Sequence, residues 1–472
     1  MSNQSLPDVL NVQPLPSIQT MNIETNQLDP IVINQGFARF VLEKKGILDV
    51  GSTFTFSVHP TDATGDDQAY LPVKTGIHSL IKRAVLKVGT KVLATSDDYG
   101  FYQTIKRAFK TNEEKSQKDL VKVGSCDVLE PDNQGTGKYQ MKSLVYSNAT
   151  TGLIDPSIRL RVSETECPVF SIKLSELFPM MKNIQLPLYL IAEHVSVELT
   201  FNTQSATQTG IIALFSDGYA GGTGIKVGQD NCKFLADYLT YENERMDATA
   251  KLVMSETGLV MPYEDLVLTS SNVPAFAPAP VGTNVVAQQT TRDLGLSGRN
   301  VRNILLHDHK QVTDSLGGIY TADAYNVPDA YNFRINDKLV YSRDVINEAR
   351  KQNQLSQVFS TNINCISAEY SDDVLVDKLS PNQPRNQDVV STNSCQGHQM
   401  TTLQGRQHYI GVDLSVSPLN VAGAGMLVGQ KPVECLRTIY RTATDNANRD
   451  LRFFSTVERM MTLKNGMVFV SA

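Results

Sequence analysis

The segment Leu305 to Lys310 sets two histidines around one carboxylate, His307-Asp308-His309. On a β-strand alternate side chains point the same way, so His307 and His309 would share a face and could hold a divalent metal through neutral imidazoles. Such a site needs further ligands, and His398 and His408 are the candidates at hand. Surface or interface histidines explain the same residues without a metal, so no metal site is expected. Gly221-Gly222-Thr223-Gly224 and Gly135-Thr136-Gly137-Lys138 invite a phosphate-loop reading. The first lacks the following Lys-Ser/Thr. The second has Tyr139 at the hydroxyl position and no first glycine, so both are expected to be ordinary loops. Asp97-Asp98 and Asp372-Asp373 could pair for acid–base work, but their place in turns or helix starts favours capping or solvation. Arg292, Arg299 and Arg302 could meet nucleic acid or a neighbour, and ordinary surface charge accounts for them better. Asn148-Ala149-Thr150 is a glycosylation sequon, which leaves Asn148 as a candidate modified residue. No GxSxG or HExxH motif occurs. The expectation is a chain with no catalytic, cofactor-binding or metal-binding residues.

The cysteines agree. Cys126, Cys167, Cys232, Cys365, Cys395 and Cys435 are widely scattered without any CxxC pair, so they read as reduced thiols rather than a disulfide framework or zinc site. A net charge of -6 argues against wrapping nucleic acid, which needs clustered cations. The 472 residues suffice for two large all-β domains. Neither a secretory signal nor an apolar run long enough for a membrane helix is visible.

Stepping along the chain, residues 1–30 read as an extended arm broken by Pro7, Pro14, Pro16 and Pro30. From Gly36 the pattern is β. Phe54, Phe56 and Val58 alternate with Thr53, Thr55 and Ser57, the period of a half-buried strand. Strands are expected over Phe37–Leu42, Ile81–Val88, Lys91–Thr95, Pro168–Leu174, Leu186–Ile191, Val195–Phe201 and Lys233–Tyr241. A helix capped by Ser96 or Asp97 carries Tyr102, Ile105 and Phe109 on one face, and a shorter helical turn covers Ser175–Met181. The second half repeats the style, with strands including Leu259–Pro262, Leu266–Ser270, Val301–His307, Asn332–Ile335, His408–Val416, Val433–Thr438 and Leu451–Val457.

Two segments match across the chain. Lys87–Asp97 (KVGTKVLATSD) aligns without a gap to Arg334–Asp344 (RINDKLVYSRD), each a hairpin running into an amphipathic helix. Val195–Phe201 (VSVELTF) also resembles Ile410–Val416 (IGVDLSV). Together they indicate one domain used twice, with domains at 31–245 and 246–472. All-β domains of that size with long loops are sandwiches or jelly rolls.

Gly76–Ile105, Ser175–Phe201, Lys233–Met246 and Tyr331–Val345 resemble the double jelly-roll major capsid proteins of eukaryotic double-stranded DNA viruses, of the polinton-like, virophage and nucleocytoplasmic large DNA virus type. The resemblance implies an all-β fold of two tandem eight-stranded jelly-roll barrels with short helices in the loops. It also implies a homotrimer of pseudo-hexagonal outline that tiles an icosahedral virion shell, assembled inside the host cell. Partners would be neighbouring capsomers and minor capsid and penton proteins, with no specific nucleic acid and an internal membrane left open. A carbohydrate-binding or carbohydrate-active β-sandwich is the other reading. It lacks the aromatic platform such proteins build with Trp, since the chain has none. A minor capsid or fibre component would not need two similar barrels.

Overall fold

The computed structural model describes residues 21–34, 36–57, 59–60, 68–72, 75–108, 119–125, 142–147, 169–182, 184–202, 225–227, 232–274, 286–310, 330–346, 348–359, 409–415, 425–441 and 448–471. Sixteen of the strands among the described residues frame two sandwiches, and shorter strands add to their edges. In the first they are β1 (Met21–Leu28), β2 (Phe37–Val41), β3 (Thr53–Phe56), β4 (Ile81–Val88), β5 (Lys91–Asp97), β6 (Phe170–Lys173), β7 (Val195–Phe201) and β8 (Cys232–Tyr241). In the second they are β9 (Leu259–Val273), β10 (Val286–Asp293), β11 (Asn300–Lys310), β12 (Ala330–Ile335), β13 (Lys338–Leu339), β14 (Tyr409–Asp413), β15 (Glu434–Arg441) and β16 (Arg449–Lys464).

The first unit pairs its strands in the orders β1-β8-β3-β6 and β2-β7-β4-β5, all antiparallel. The second pairs them as β9-β16-β11-β14 and β10-β15-β12-β13. Each of these eight strands of the first unit has a counterpart eight strands later, in the same place. Two four-stranded sheets with this crossed order are a jelly roll, and the chain contains it twice.

Alternation explains the cores. Phe54 and Phe56 of β3 are fully buried while Thr53 and Thr55 face outward. Phe54 stacks on Phe234 of β8 with centroids 4.3 Å apart, and Phe40 of β2 meets Phe54 edge-on at 5.3 Å from the facing sheet. The second unit has its own cluster, including Val301, Ile304 and Leu306 of β11 and Phe333 of β12.

The hairpin match holds. β4 and β5 turn at Gly89 with φ +57°, and β12 and β13 turn at Asn336 and Asp337 with φ +51° and +63°. Two consecutive left-handed residues are the demand of a tight hairpin turn that follows the strands' twist. A helix follows each hairpin, α1 (Tyr99–Ala108) and, later, α3 (Glu348–Phe359). A third helix, α2 (Asn243–Met254), links the units. The domain boundary read at 245/246 falls inside it.

Four sequence readings change. Val195–Phe201 is β7, whose counterpart is β15, not the segment at Ile410–Val416. That segment is β14, the counterpart of β6, because alternating strands look alike whatever their sheet. Part of the arm read over residues 1–30 is β1, paired along its length with β8. Its residues are mostly exposed on both faces, so no apolar period marks it. Leu186–Ile191 is not a strand. Pro187 removes a ladder donor, leaving a bridge at Leu186 and a 3-10 turn over Leu188–Leu190. Leu259–Pro262 and Leu266–Ser270 merge into the single strand β9.

Candidate functional site

The chemistry-bearing residues of the described chain gather on β11 and at the joint between the units. Strand β11 is buried on both faces, since its sheet has the second unit's core on one side and the first unit on the other. His307, fully buried, looks toward the first unit. Its ring lies 5.0 Å from that of Phe101 in α1 and 5.9 Å from that of Tyr409 in β14. It is an interface histidine inside one chain, not a surface one. Asp308 points the other way, into the second unit.

There Asp308 meets two arginines. Arg437 of β15, in the facing sheet, donates from Nη2 to Asp308 Oδ2, and Arg449 Nη1 of β16 lies 3.8 Å from the same oxygen. All three side chains are 1% exposed. The ion cluster therefore ties the two sheets across the sandwich. Removing one member of such a pair leaves a buried charge uncompensated, at a cost of about 3–5 kcal/mol. Beside it the thiol of Cys435 is pushed up to about 12 by burial, so it stays protonated and unreactive at neutral pH. Cys232 of the first unit is likewise buried and raised to about 12.

The joint is built from hairpin β4–β5 and α1 against β9, β11 and β16. Tyr263 Oη donates to the Leu93 carbonyl at 2.8 Å, and the Thr95 amide donates to Asp265 Oδ1 at 3.4 Å. Arg452 Nε donates to Asp98 Oδ2 at 2.8 Å, and its guanidinium sits 4.2 Å from the centre of the Phe101 ring. Tyr102 packs on Phe454 at 5.5 Å. Beyond β11, Met460–Lys464 of β16 pair with Met467–Ser471, and this ribbon rests on the first unit. Lys91 Nζ donates to the Val468 carbonyl at 2.8 Å, and the Ala192 amide to the Gly466 carbonyl at 2.9 Å.

A charged row crosses the joint. Arg302 is 5% exposed and ion-paired with Glu264, with Glu458 3.7 Å away. Arg459 lies 3.0 Å from Asp265, and burial pushes the Asp265 carboxyl up to about 6 despite that arginine. Burial in turn lowers Arg299.

Several sequence readings are corrected here. Arg302 is a buried ion-pair partner rather than ordinary surface charge. Asp97 pairs with Arg83 at 2.8 Å and Asp98 with Arg452, so both carboxylates are ion-pair partners of arginines. Their role was hidden because the partners lie far off in sequence. The side chain of His309, together with His398, His408, Asn148, Gly135–Lys138, Gly221–Gly224, Asp372, Asp373 and the other four cysteines, lies outside the described residues. Among the described residues, no three His, Cys, Asp or Glu side chains gather where they could hold a metal.

These features define a class by fold: a double jelly roll whose halves are joined face to side within one chain. Neither the models of known protein families nor the curated proteins contain a match to the sequence. Among solved structures the chain is similar to PBCV-1 VP54, as fitted into a reconstruction of the virophage Sputnik, with 11% identity and a TM-score of 0.56 over 98% of this chain and 99% of that one. The Faustovirus major capsid protein matches with 9% identity and a TM-score of 0.57 over 96% and 92%. A chain in the structure of the Sputnik virophage matches with 10% identity and a TM-score of 0.53 over 99% and 92%. The chain thus has the double jelly-roll fold found in viral major capsid proteins.

Proposed function

We propose that this chain is a major capsid protein, a non-catalytic building block that trimerises and tiles the shell of an icosahedral virion. The observation that carries this reading is the double use of one eight-strand topology within a single chain. One sandwich suffices for a soluble β-protein. Two equivalent ones, fixed side by side by a buried joint, make a rigid tile with repeated flanks. Closing each sheet pair into a roll also limits free strand edges, which would otherwise pair without control at the concentrations assembly requires. Partners on this reading are copies of the same chain, neighbouring capsomers, and minor capsid and penton proteins, and the site of action is the virion. The structures it resembles carry their names for their own proteins, and the role transfers here through the shared architecture.

The test is the mass of the purified full chain by sedimentation at micromolar concentration. A particle of three 52.0 kDa chains is expected. A species that stays monomeric throughout would remove the reading.

A further inference from the structure

A buried arginine of the second unit carries more donors than partners. Arg437 of β15 is 1% exposed along its side chain and reaches Asp308 through Nη2. Its Nε and Nη1 are buried without a hydrogen-bond partner. Arg449 approaches the same Asp308 oxygen at 3.8 Å, so Arg437 has only a share in one carboxylate.

Register brings a second arginine to the same place. β10 pairs with β15 so that Thr290 stands opposite Arg437 and Arg292 opposite Cys435. Residues paired across strands project from one face of a sheet. Here that face is the inner one, because Val433, Cys435 and Arg437 are all buried. On β10 the buried Thr290 and half-buried Arg292 share it, while Thr291 and Asp293 are exposed. Arg292 and Arg437 are therefore diagonal neighbours, about 7–8 Å apart at the backbone, a gap that long side chains span. The Nε of Arg292 is also buried without a partner, and its Nη1 donates to the adjacent Thr291 carbonyl. The acidic groups of these two strands supply no counter-charge. Glu434 pairs with Arg334 at 2.9 Å on the outer face, and Asp293 accepts from the Gly295 amide. Burial pushes the Cys435 thiol up to about 12, so it stays neutral. A water molecule could accept these hydrogen bonds, yet it leaves the cations uncompensated in a dry interior, where an unpaired charge is costly. An anion answers both needs. A compact monovalent ion does so most cheaply, since the cost of stripping water from an ion rises steeply with its charge.

We infer that the second unit binds a halide anion of the chloride class on the inner face of β10 and β15, held by Arg437 and Arg292 with the Thr290 hydroxyl beside them. The ion fastens β10, a polar strand at the end of its sheet, to the core from within. Arg292, only half-buried, gives it a way in from solvent. The inference is independent of the assembling role proposed above.

The experiment melts the full chain at fixed ionic strength while sodium chloride replaces sodium gluconate, whose anion is too large for the site. The midpoint should climb by a few degrees between about 1 and about 100 mM chloride and then level off, as for a ligand that binds only the folded state. Arg292→Gln, which alters a half-buried side chain, should need at least about tenfold more chloride for the same shift. Asp308→Leu with Arg437→Met and Arg449→Leu should abolish the response. If a variant misfolds, anomalous diffraction from parent crystals grown in bromide decides, with a peak expected beside Arg437 Nε. A parent midpoint indifferent to chloride, a response that Arg292→Gln leaves unchanged, or bromide peaks only elsewhere would overturn the inference. A saturable response to phosphate with none to chloride would overturn it as well.

Discussion

The two units both pack an apolar core, but they differ in what they add between the sheets. In the first, β3, β7 and β8 fill the space between the sheets with rings: Phe56 meets Phe201 edge-on at 6.3 Å, and Phe54 stacks on Phe234. In the second, the counterpart strands β11, β15 and β16 place Asp308, Arg437 and Arg449 between the sheets. The rings stabilise by burial and dispersion, which tolerate small shifts. The ion cluster adds little net energy over an apolar replacement but penalises any register that separates its members. The difference teaches that topology is indifferent to how a sandwich is filled. The second unit, whose sheet is enclosed on both sides, has the filling that fixes alignment.

The sharpest way to break this comparison is truncation in each core. Phe54→Ala should cost about 3–5 kcal/mol, since it empties a ring-sized space. Asp308→Ala should cost about as much for another reason, two stranded guanidinium groups. Denaturant unfolding measures both. The reasons separate in a third variant: Asp308→Leu with Arg437→Met and Arg449→Leu should recover stability to within about 1–2 kcal/mol of the parent. Failure to recover would mean that the ions contribute net energy and not only alignment.

A smaller effect is expected from Asp265, at the joint. Its carboxyl is raised in the folded chain from 3.8 to about 6, so the folded state holds its proton more tightly than the unfolded state. Stability from this group is therefore present below the unfolded value and lost as pH rises through about 6. The melting midpoint should climb when pH is lowered from 7 toward 5, and Asp265→Asn should flatten that part of the profile. The smallest effect belongs to Asp98→Ala, which deletes a partly exposed ion pair with Arg452. A loss of about 0.5–1 kcal/mol is expected, read as a shift of a few degrees at most.

Much of the fold was legible in the sequence where a strand has one wet face. β3, β7 and β8 alternate cleanly, and the paired hairpins announced the duplication. The misses have physical causes. β1 and β10 (VAQQTTRD) are polar strands held by backbone pairing, so their side chains carry no period. β11 (NVRNILLHDHK) is buried on both faces, and its mix of apolar and charged residues shows no period that tells which neighbours His307 and Asp308 meet. The ion partners Arg437 and Arg449 lie far from Asp308 in sequence, and no spacing rule links them. The joint was invisible for the same reason: Asp98 and Arg452 come from different halves of the chain.

Strand order has a consequence for synthesis. β16 lies between β9 and β11, yet it follows β9, β11 and β14 in the chain. While a ribosome is still adding residues before Arg449, β9 and β11 have nothing between them to pair with. The first unit waits in the same way for β8, which lies between β1 and β3, but that wait ends at Tyr241. A nascent chain thus offers a finished half, with the hairpin β4–β5 and α1 already shaped, long before its other half can close. That half serves as a template, and the late-arriving β16 is zipped down against it, so translation itself sets the sequence of events that orients one roll upon the other.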